Sequence, residues 1–398
     1  MNSWVSWTLL LLLALQAFLV VLFSWHVSRR RHEMFSWIQP PNDDWPTVEV
    51  VLCLRGADSS LKPVLESLSQ QQYQGDWRLQ IVVDSVDDPS WKIIEEVAYS
   101  QNDLGSPTPT WDEINVQTLL ERPSRGSLKC ASLLQAFDGL DSKSAFVVLI
   151  DADAVVNCDW LSKIIFACCQ KGIGAVSGNR WFMPKSDTLA GWTRAVWNSG
   201  ALVLMTLFSI PWGGSLAVRR EVIEANSWKH LLRHGLCEDT GLLEPLKELG
   251  LRYLFCPDLL VVDESDDINF IKLFHWIKRQ LMTARLHHSA WPFVALHGMG
   301  TFIFLMFVII KGDWLFFLAY EIGCIFLLIW IEMIALQRSI HSLRGWLFAL
   351  LPGQLVNGWA TFVASWTQKV EWSNVIYHVT FRPRGVVIMR PQTRSLSE

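Results

Sequence analysis

The stretch Phe146-Val-Val-Leu-Ile-Asp-Ala-Asp153 indicates the fold more clearly than any other part of the chain. Five consecutive apolar residues are typical of a buried strand in a parallel sheet. Asp151 and Asp153 follow at its carboxyl end, where open α/β sheets bind their ligands. Two positions apart on an extended chain, their side chains are expected to point the same way. Such a pair favours Mg²⁺ or Mn²⁺ carrying a diphosphate, although an Asp-rich turn is a simpler alternative.

Strand and helix patterns alternate on both sides of this stretch. The predicted strands are 48–54, 77–83, 114–117 and 146–150, and the predicted helices between them are 60–72, 89–99 and 126–137. This order predicts a largely parallel sheet with crossover helices, and therefore an α/β fold.

Acidic residues recur where such a sheet would gather its ligands. Asp84 ends the second predicted strand, and Asp151 and Asp153 follow the fourth. Glu238 and Asp239 precede a predicted helix over 240–249, where they could also simply favour a helix amino end. Three acidic features in a sheet of this order favour one shared site.

Composition narrows the class of protein. The chain has 398 residues, enough for about two domains, and a net charge of −4 gives no reason to expect nucleic acid as a partner. Hydrophobic residues make up 51% and concentrate toward the two ends, where many of the 22 Trp flank apolar runs, as at a membrane interface. The eight Cys show no C-x-x-C spacing, which argues against zinc and fits a reducing compartment.

The apolar runs predict membrane spans. Residues 8–23 form the first, and Arg29 to Arg31 after it place the following domain in the cytoplasm by the positive-inside rule. Residues 291–310 and 314–336 form a helical hairpin, followed by Arg338 and Arg344. The stretch 346–367 contains Pro352 and several polar or small residues, so we interpret it as an interfacial or re-entrant helix. Three spans are expected, with the amino terminus outside.

The expected organisation has five segments. They are an anchor with its basic flank (1–31), an α/β domain (46–266), an amphipathic interfacial helix (267–289), a transmembrane hairpin (290–337), and an interfacial or re-entrant helix with a cytoplasmic tail (345–398).

Over about residues 47–377 the chain resembles the family-2 glycosyltransferases of the GT-A fold, a Rossmann-like and mostly parallel α/β fold. It looks most similar to their membrane-bound ceramide glucosyltransferase-like branch. The resemblance rests on an ordered set of motifs: Val82-Val-Asp84, Arg125-Gly-Ser-Leu-Lys129, Asp151-Ala-Asp153, Gly213-Gly-Ser-Leu-Ala-Val-Arg-Arg220 and Cys237-Glu-Asp-Thr-Gly241.

The resemblance implies a role for the residues of four of these motifs. Asp84 would contact the uracil side of the donor, and Asp151 and Asp153 would hold the metal. Gly213 and Gly214 would line the acceptor site. In the Glu238-Asp239 pair, both residues would be catalytic, with Asp239 as the base.

Two departures from the family pattern stand out. The first Asp is followed by Ser85-Val-Asp-Asp88 rather than by an acidic residue and a glycine, so the base-recognition loop differs. The Q/R-x-x-R-W motif is reduced to Trp276-Ile-Lys-Arg279-Gln280, which keeps only its arginine. Its decay argues more against a polysaccharide polymerase than against a lipid glycosyltransferase.

The expected activity is inverting transfer of a hexose from a nucleotide sugar, UDP-glucose or another UDP-hexose, to a ceramide or diacylglycerol hydroxyl. Asp239 would take the proton of that hydroxyl, and the metal would offset charge on the leaving diphosphate. Lys129 and Arg279 would add positive charge there. Alternatively, Lys129 is a helix-surface lysine, and Arg279 binds headgroups from a basic amphipathic helix over 270–288.

Two other functions stay open on the sequence. One is a cell-envelope polysaccharide or polyprenyl-phosphate sugar transferase of the same fold. The other is a non-catalytic membrane protein that binds a nucleotide sugar or lipid.

Overall fold

The computed structural model describes residues 3–37, 44–99, 111–265, 268–340, 342–381 and 384–389. The chain divides into two compact units. The α/β unit comprises Ser36–Asn179, Ser209–Val261 and Gln368–Glu398, and the helical unit comprises Met1–Phe35, Arg180–Phe208 and Val262–Thr367.

The elements are as follows, in chain order. The strands are β1 Val48–Leu54, β2 Trp77–Val83, β3 Glu113–Thr118, β4 Phe146–Ile150, β5 Ile173–Ser177, β6 Arg180–Phe182, β7 Ser215–Arg219, β8 Arg252–Phe255, β9 Val261–Asp263, β10 Lys369–Trp372, β11 Val375–Phe381 and β12 Arg384–Met389. The helices are α1 Ser3–Phe35, α2 Leu61–Ser69, α3 Ser90–Tyr99, α4 Leu128–Asp138, α5 Trp160–Cys168, α6 Leu189–Leu207, α7 Arg220–Glu224, α8 Asn226–His234, α9 Leu243–Glu248, α10 Phe270–His287, α11 Trp291–Lys311, α12 Trp314–Ile329 and α13 Leu343–Trp366.

A seven-stranded sheet in the order β3-β2-β1-β4-β7-β5-β8 forms the centre of the α/β unit. Strands β3, β2, β1 and β4 are parallel, and β7 runs antiparallel between β4 and β5. All five residues of β4 are buried, as its uninterrupted apolar sequence requires. The predicted α/β fold with a mostly parallel sheet is confirmed, and the four parallel strands align their carboxyl ends at one edge of the sheet.

A second sheet in the α/β unit, β10-β11-β12, is antiparallel and follows the last long helix. A cytoplasmic tail without strands was expected after the helix in the segment 345–398. The strands found there instead hydrogen-bond to the loop before α4. The N–H groups of Gly126 and Ile388 donate to the carbonyls of Val386 and Ser124. Residues 390–398 of the expected tail lie outside the described residues.

Among the described residues, four helices of the helical unit are long and apolar enough to cross a membrane: Trp4–Met34, Trp291–Lys311, Trp314–Ala335 and Leu343–Trp366. The predicted hairpin is present, with Gly312 in the left-handed conformation between α11 and α12 (φ 72°). A π-helical turn, Trp330–Ala335, continues α12.

Helix α13 extends over 24 residues through Pro352, so by length and composition it is a fourth candidate span, although three spans were expected. Gly345, Gly353 and Gly358 are positions of close packing in α13, since a Cβ at each would collide with Trp192, Val196 and Phe302 respectively. The small residues that favoured an interfacial helix therefore have a packing role, and the interfacial placement of α13 stays a prediction.

Residues 180–208 belong to the helical unit, although the expected α/β domain (46–266) included them. Helix α6 explains the difference, because it packs against α13. The indole Nε1 of Trp197 donates to Asn357 Oδ1 at 2.9 Å, and the rings of Trp192 and Trp346 meet edge-on at 5.4 Å.

Candidate active site

The Asp151-Ala-Asp153 motif lies in a turn. Strand β4 ends at Ile150, and the N–H of Ala154 donates to the carbonyl of Asp151 at 3.1 Å. The premise that the chain is extended from Asp151 to Asp153 is therefore wrong. The chain turns where β4 ends, and the turn holds both Asp residues in one short segment.

Lys129 lies in the first turn of α4, whose amino end is capped by the Ser127 hydroxyl accepting from the N–H of Cys130. Its Nζ is 2.6 Å from Asp151 Oδ1 and 2.6 Å from Glu238 Oε1. The alternative of a helix-surface lysine is therefore wrong, because the ammonium group bridges two acidic motifs.

Glu238 and Asp239 lie in a bend, not at a helix start. Helix α9 begins at Leu243, later than the predicted residue 240, and the N–H of Leu242 donates to the carbonyl of Asp239. Asp239 Oδ2 accepts from the N–H of Gly213 at 2.8 Å, and its Oδ1 accepts from the hydroxyl of Thr240 at 2.9 Å. Two donors therefore fix the orientation of the Asp239 carboxylate.

Gly213 and Gly214 come directly before β7 and lie between the two acidic motifs. A Cβ on Gly213 would overlap Glu238 Oε1 and come within 3.2 Å of Asp239 Oδ2. A Cβ on Gly214 would stand 2.6 Å from Asp151 Oδ2. The carbonyl of Gly214 also accepts from the N–H of Asp151. The glycines are therefore required for close approach of the backbone to the carboxylates.

The charges of this cluster shift two pKa values. Burial lowers the pKa of Lys129, but attraction to Asp151 and Glu238 outweighs it, so the pKa lies well above its ordinary value. Burial raises the pKa of Glu238, and the repulsion of Asp239 and Asp151 adds to this against the attraction of Lys129. Lys129 therefore stays cationic at neutral pH.

Asp84 has its own cationic surroundings at the carboxyl end of β2. Arg55 forms an ion pair with Oδ2, and Arg122 Nη2 donates to the same oxygen at 2.6 Å. Asp84 is 7% exposed, and its buried Oδ1 has no hydrogen-bond partner in the part of the chain that the structure describes. The nearby Asp88 has a structural role, because it accepts from the N–H groups of Gly56 and Ser90.

The structure thus brings Lys129, Asp151, Gly213, Gly214, Glu238 and Asp239 together, with Asp153 in the same turn as Asp151. Asp84 follows β2, whose carboxyl end lies on the same side of the sheet as that of β4. The two strands are separated by β1, which places Asp84 roughly 10 Å from the end of β4. Arg279 lies on α10 of the helical unit, and its predicted contact with the diphosphate stays a prediction.

Three residues around this site were not predicted from the sequence. Arg55 and Arg122 pair with Asp84 across 29 and 38 positions of sequence. The hydroxyl of Tyr377, on β11, accepts from the N–H of Leu128 at the start of α4. Of these three residues, only Arg55 was detectable from the sequence, because it comes directly after the first predicted strand and before Gly56.

The Asp151-Asp153 turn fits a divalent cation that takes only part of its ligands from the protein. Among the described residues, no group of three or more His, Cys, Asp or Glu side chains could hold a metal ion. Two carboxylates in one turn are instead the partial ligand set that Mg²⁺ or Mn²⁺ completes with phosphate oxygens and water.

Comparison with solved structures shows that the fold is shared with a glycosyltransferase solved in complex with its nucleotide sugar. The mannosyltransferase PcManGT from Pyrobaculum calidifontis, in complex with GDP-Man and Mn²⁺, is 16% identical. The alignment covers 91% of this chain and 99% of that one, with a TM-score of 0.58. The glucosyl-3-phosphoglycerate synthase from Mycobacterium tuberculosis, in complex with Mn²⁺ and UDP-Glc, is 16% identical over 62% of this chain and 84% of that one, with a TM-score of 0.40. No curated protein sequence gives a significant match.

The fold and the ordered acidic motifs are those of a glycosyltransferase of the GT-A type. The model of glycosyl transferase family 21 matches residues 9–384, nearly the whole chain. The chain belongs to glycosyl transferase family 21, a ceramide glucosyltransferase-like family, and the expected family relationship and enzyme class are confirmed.

Proposed function

We propose that this enzyme is a membrane-bound inverting glycosyltransferase. It moves a hexose from a UDP-hexose, with UDP-glucose as the first candidate, to a hydroxyl group of a membrane lipid. The acceptor is of the ceramide or diacylglycerol type.

One observation supports the catalytic part of this proposal above the others: Asp151 and Asp239 flank the same two-residue segment. Gly213 donates its N–H to the Asp239 carboxylate, and Gly214 accepts from the N–H of Asp151. In an inverting transfer the acceptor attacks from the side opposite the leaving diphosphate. The base and the carboxylates that hold the metal of the diphosphate must therefore be close together but separate. The positions of Asp239 and Asp151 on either side of this segment support that arrangement.

Each side chain has a distinct task. Asp239 accepts the proton of the attacking hydroxyl, and its bonds to Gly213 and Thr240 orient it for this step. Asp151 and Asp153 would hold Mg²⁺ or Mn²⁺, which when bound stabilises negative charge on the departing diphosphate. Asp84 contacts the nucleotide base, and Arg55 and Arg122 fix its carboxylate.

The membrane part of the proposal is supported by the four candidate spans, which indicate membrane insertion. Arg29 to Arg31 follow the first span and favour the cytoplasmic side for the α/β unit. An enzyme inserted in the bilayer through its own chain meets lipid acceptors at high local concentration, whereas a soluble acceptor would not require the spans.

The test is a product analysis with the purified full-length chain in lipid nanodiscs. Mn²⁺ is supplied with UDP-glucose, other UDP-hexoses or GDP-Man, and with ceramide, diacylglycerol or polyprenyl phosphate as acceptor. We expect mass spectrometry to find one hexose added to ceramide or diacylglycerol. NMR of the anomeric proton should show a configuration inverted from that of the donor.

Other products would contradict the proposal in distinct ways. Chains of several sugars would identify a polymerase, and glycosylated polyprenyl phosphate would identify the alternative acceptor class. Nucleotide-sugar binding without turnover under all conditions would identify a non-catalytic protein.

A further inference from the structure

The ammonium group of Lys129 occupies a central position among the acidic side chains. It lies 2.6 Å from Asp151 Oδ1 and 2.6 Å from Glu238 Oε1. Its side chain is 18% exposed, so solvent screens these contacts far less than those of a surface pair. A charge held this close to Asp151 acts on everything that Asp151 binds.

Glu238 is placed to hold this lysine, not to meet a substrate. It is 2% exposed, Gly213 packs directly against its Oε1, and its backbone carbonyl accepts from the indole Nε1 of Trp228 at 3.0 Å. By contrast, Asp239 is only partly buried, so the two neighbouring acids have different access to a ligand. This separates Glu238 from the catalytic role that the acidic pair predicted for it.

We infer that Lys129 and Glu238 are a pair of positioning residues that sets the affinity of the Asp151-Asp153 turn for a divalent cation. Lys129 weakens cation binding by bringing a positive charge to Asp151, and Glu238 restores it by compensating that charge. The inference rests on the proposed function, in which Asp151 and Asp153 hold the metal.

This arrangement predicts effects of opposite sign for the two residues. Lys129→Met removes the competing charge and tightens Mn²⁺ binding, and Glu238→Gln leaves the ammonium uncompensated and weakens it. Unit charges a few ångströms apart in a partly buried site change an equilibrium by about tenfold or more. We therefore expect at least about a tenfold change in each direction. Lys129→Met combined with Glu238→Gln removes both charges and returns the affinity close to that of the wild type.

The experiment is a Mn²⁺ titration of the full-length chain in detergent, followed by the electron paramagnetic resonance signal of free Mn²⁺, with and without UDP. Lys163 and Asp159 provide a matched control, because they form an exposed ion pair of the same 2.6 Å length. Lys163→Met and Asp159→Asn should leave Mn²⁺ binding unchanged. Since Lys129→Met leaves a buried acid without its cation and can impair folding, the double variant keeps the test informative.

The outcomes separate this inference from the proposed function. If both single variants weaken Mn²⁺ binding, Lys129 and Glu238 have a purely structural role. If neither variant changes Mn²⁺ binding, the two residues do not act on the metal site. Either result makes the inference wrong. If the Asp151→Asn, Asp153→Asn double variant binds Mn²⁺ as tightly as the wild type does, the proposed metal site is itself wrong. Failure of Mn²⁺ to bind with or without UDP overturns both. A missing glycolipid product with the expected order of Mn²⁺ affinities overturns the proposed acceptor alone.

Discussion

The backbone N–H of Gly213 donates a hydrogen bond of 2.8 Å to Oδ2 of Asp239. A main-chain group thus orients the proposed catalytic base, and only a residue without a side chain can bring it there, because a Cβ would overlap Glu238.

Substitution of this glycine should therefore disable the enzyme. Gly213→Ala pushes Glu238 and Asp239 away from the backbone, and we expect kcat to fall about 100-fold, since small displacements of a reacting group have effects of this size. Gly200→Ala is the matched control, because a Cβ there meets nothing within 4 Å. Full activity of Gly213→Ala would show that the close approach is unimportant.

Asp239→Asn removes the proton acceptor and keeps the shape. Turnover should fall by about 100- to 10,000-fold, the usual contribution of a general base. Binding of the UDP-sugar, followed by isothermal titration, should change little. If the variant turns over normally, another residue takes the proton.

Arg122 is predicted to act on donor recognition through Asp84. Arg122→Met removes one of the two guanidinium groups that hold this carboxylate, and we expect KM for the nucleotide sugar to rise about tenfold with a smaller change in kcat. Arg78→Met is a suitable comparison, because Arg78 lies on β2, the strand that ends next to Asp84, and pairs with Asp141 at 2.5 Å. Equal effects of the two substitutions would argue against a role in donor binding.

Tyr377 is expected to stabilise the start of α4. Tyr377→Phe leaves the buried N–H of Leu128 without its acceptor, which should lower the free energy of unfolding by about 1–3 kcal/mol. Thermal denaturation measures the loss. Tyr73→Phe removes a hydroxyl that donates to the carbonyl of Pro46, and should lower stability without lowering kcat. Tyr377→Phe should lower both.

The proposed orientation is testable with thiol reagents. Lys311→Cys places a thiol at the end of α11, which should react with an impermeant maleimide in intact cells. Native Cys158, an exposed residue of the α/β unit, should react only after the cells are opened. The reverse pattern would place the α/β unit outside the cytoplasm.

Elements defined by local pattern were predictable. Strands β1, β2 and β4 begin and end at the predicted residues, because each is rich in apolar residues and is followed at once by a charged residue. The start of α9 was misplaced, because acidic residues before a helix resemble a favourable first turn. The strands after α13 were missed, because β10 has only four residues and alone gives a weak strand pattern.

Within the site, the acidic residues were predictable as types, but their partners were not. Lys129 occupies a helix first turn, where most lysines face solvent, and no local pattern reveals that two acids from distant segments converge on it. The pairing of Arg55 and Arg122 with Asp84 likewise depends on strand order, which a single sequence specifies only indirectly.

The sheet formed by β10, β11 and β12 has a consequence for biosynthesis. The hydroxyl that holds the amino end of α4 belongs to a strand made after every candidate membrane helix. While the ribosome is still making those helices, α4 and its lysine lack this hydrogen bond. The amino end of α4 is therefore fully supported only late in synthesis, once β11 has been made and has folded back onto it.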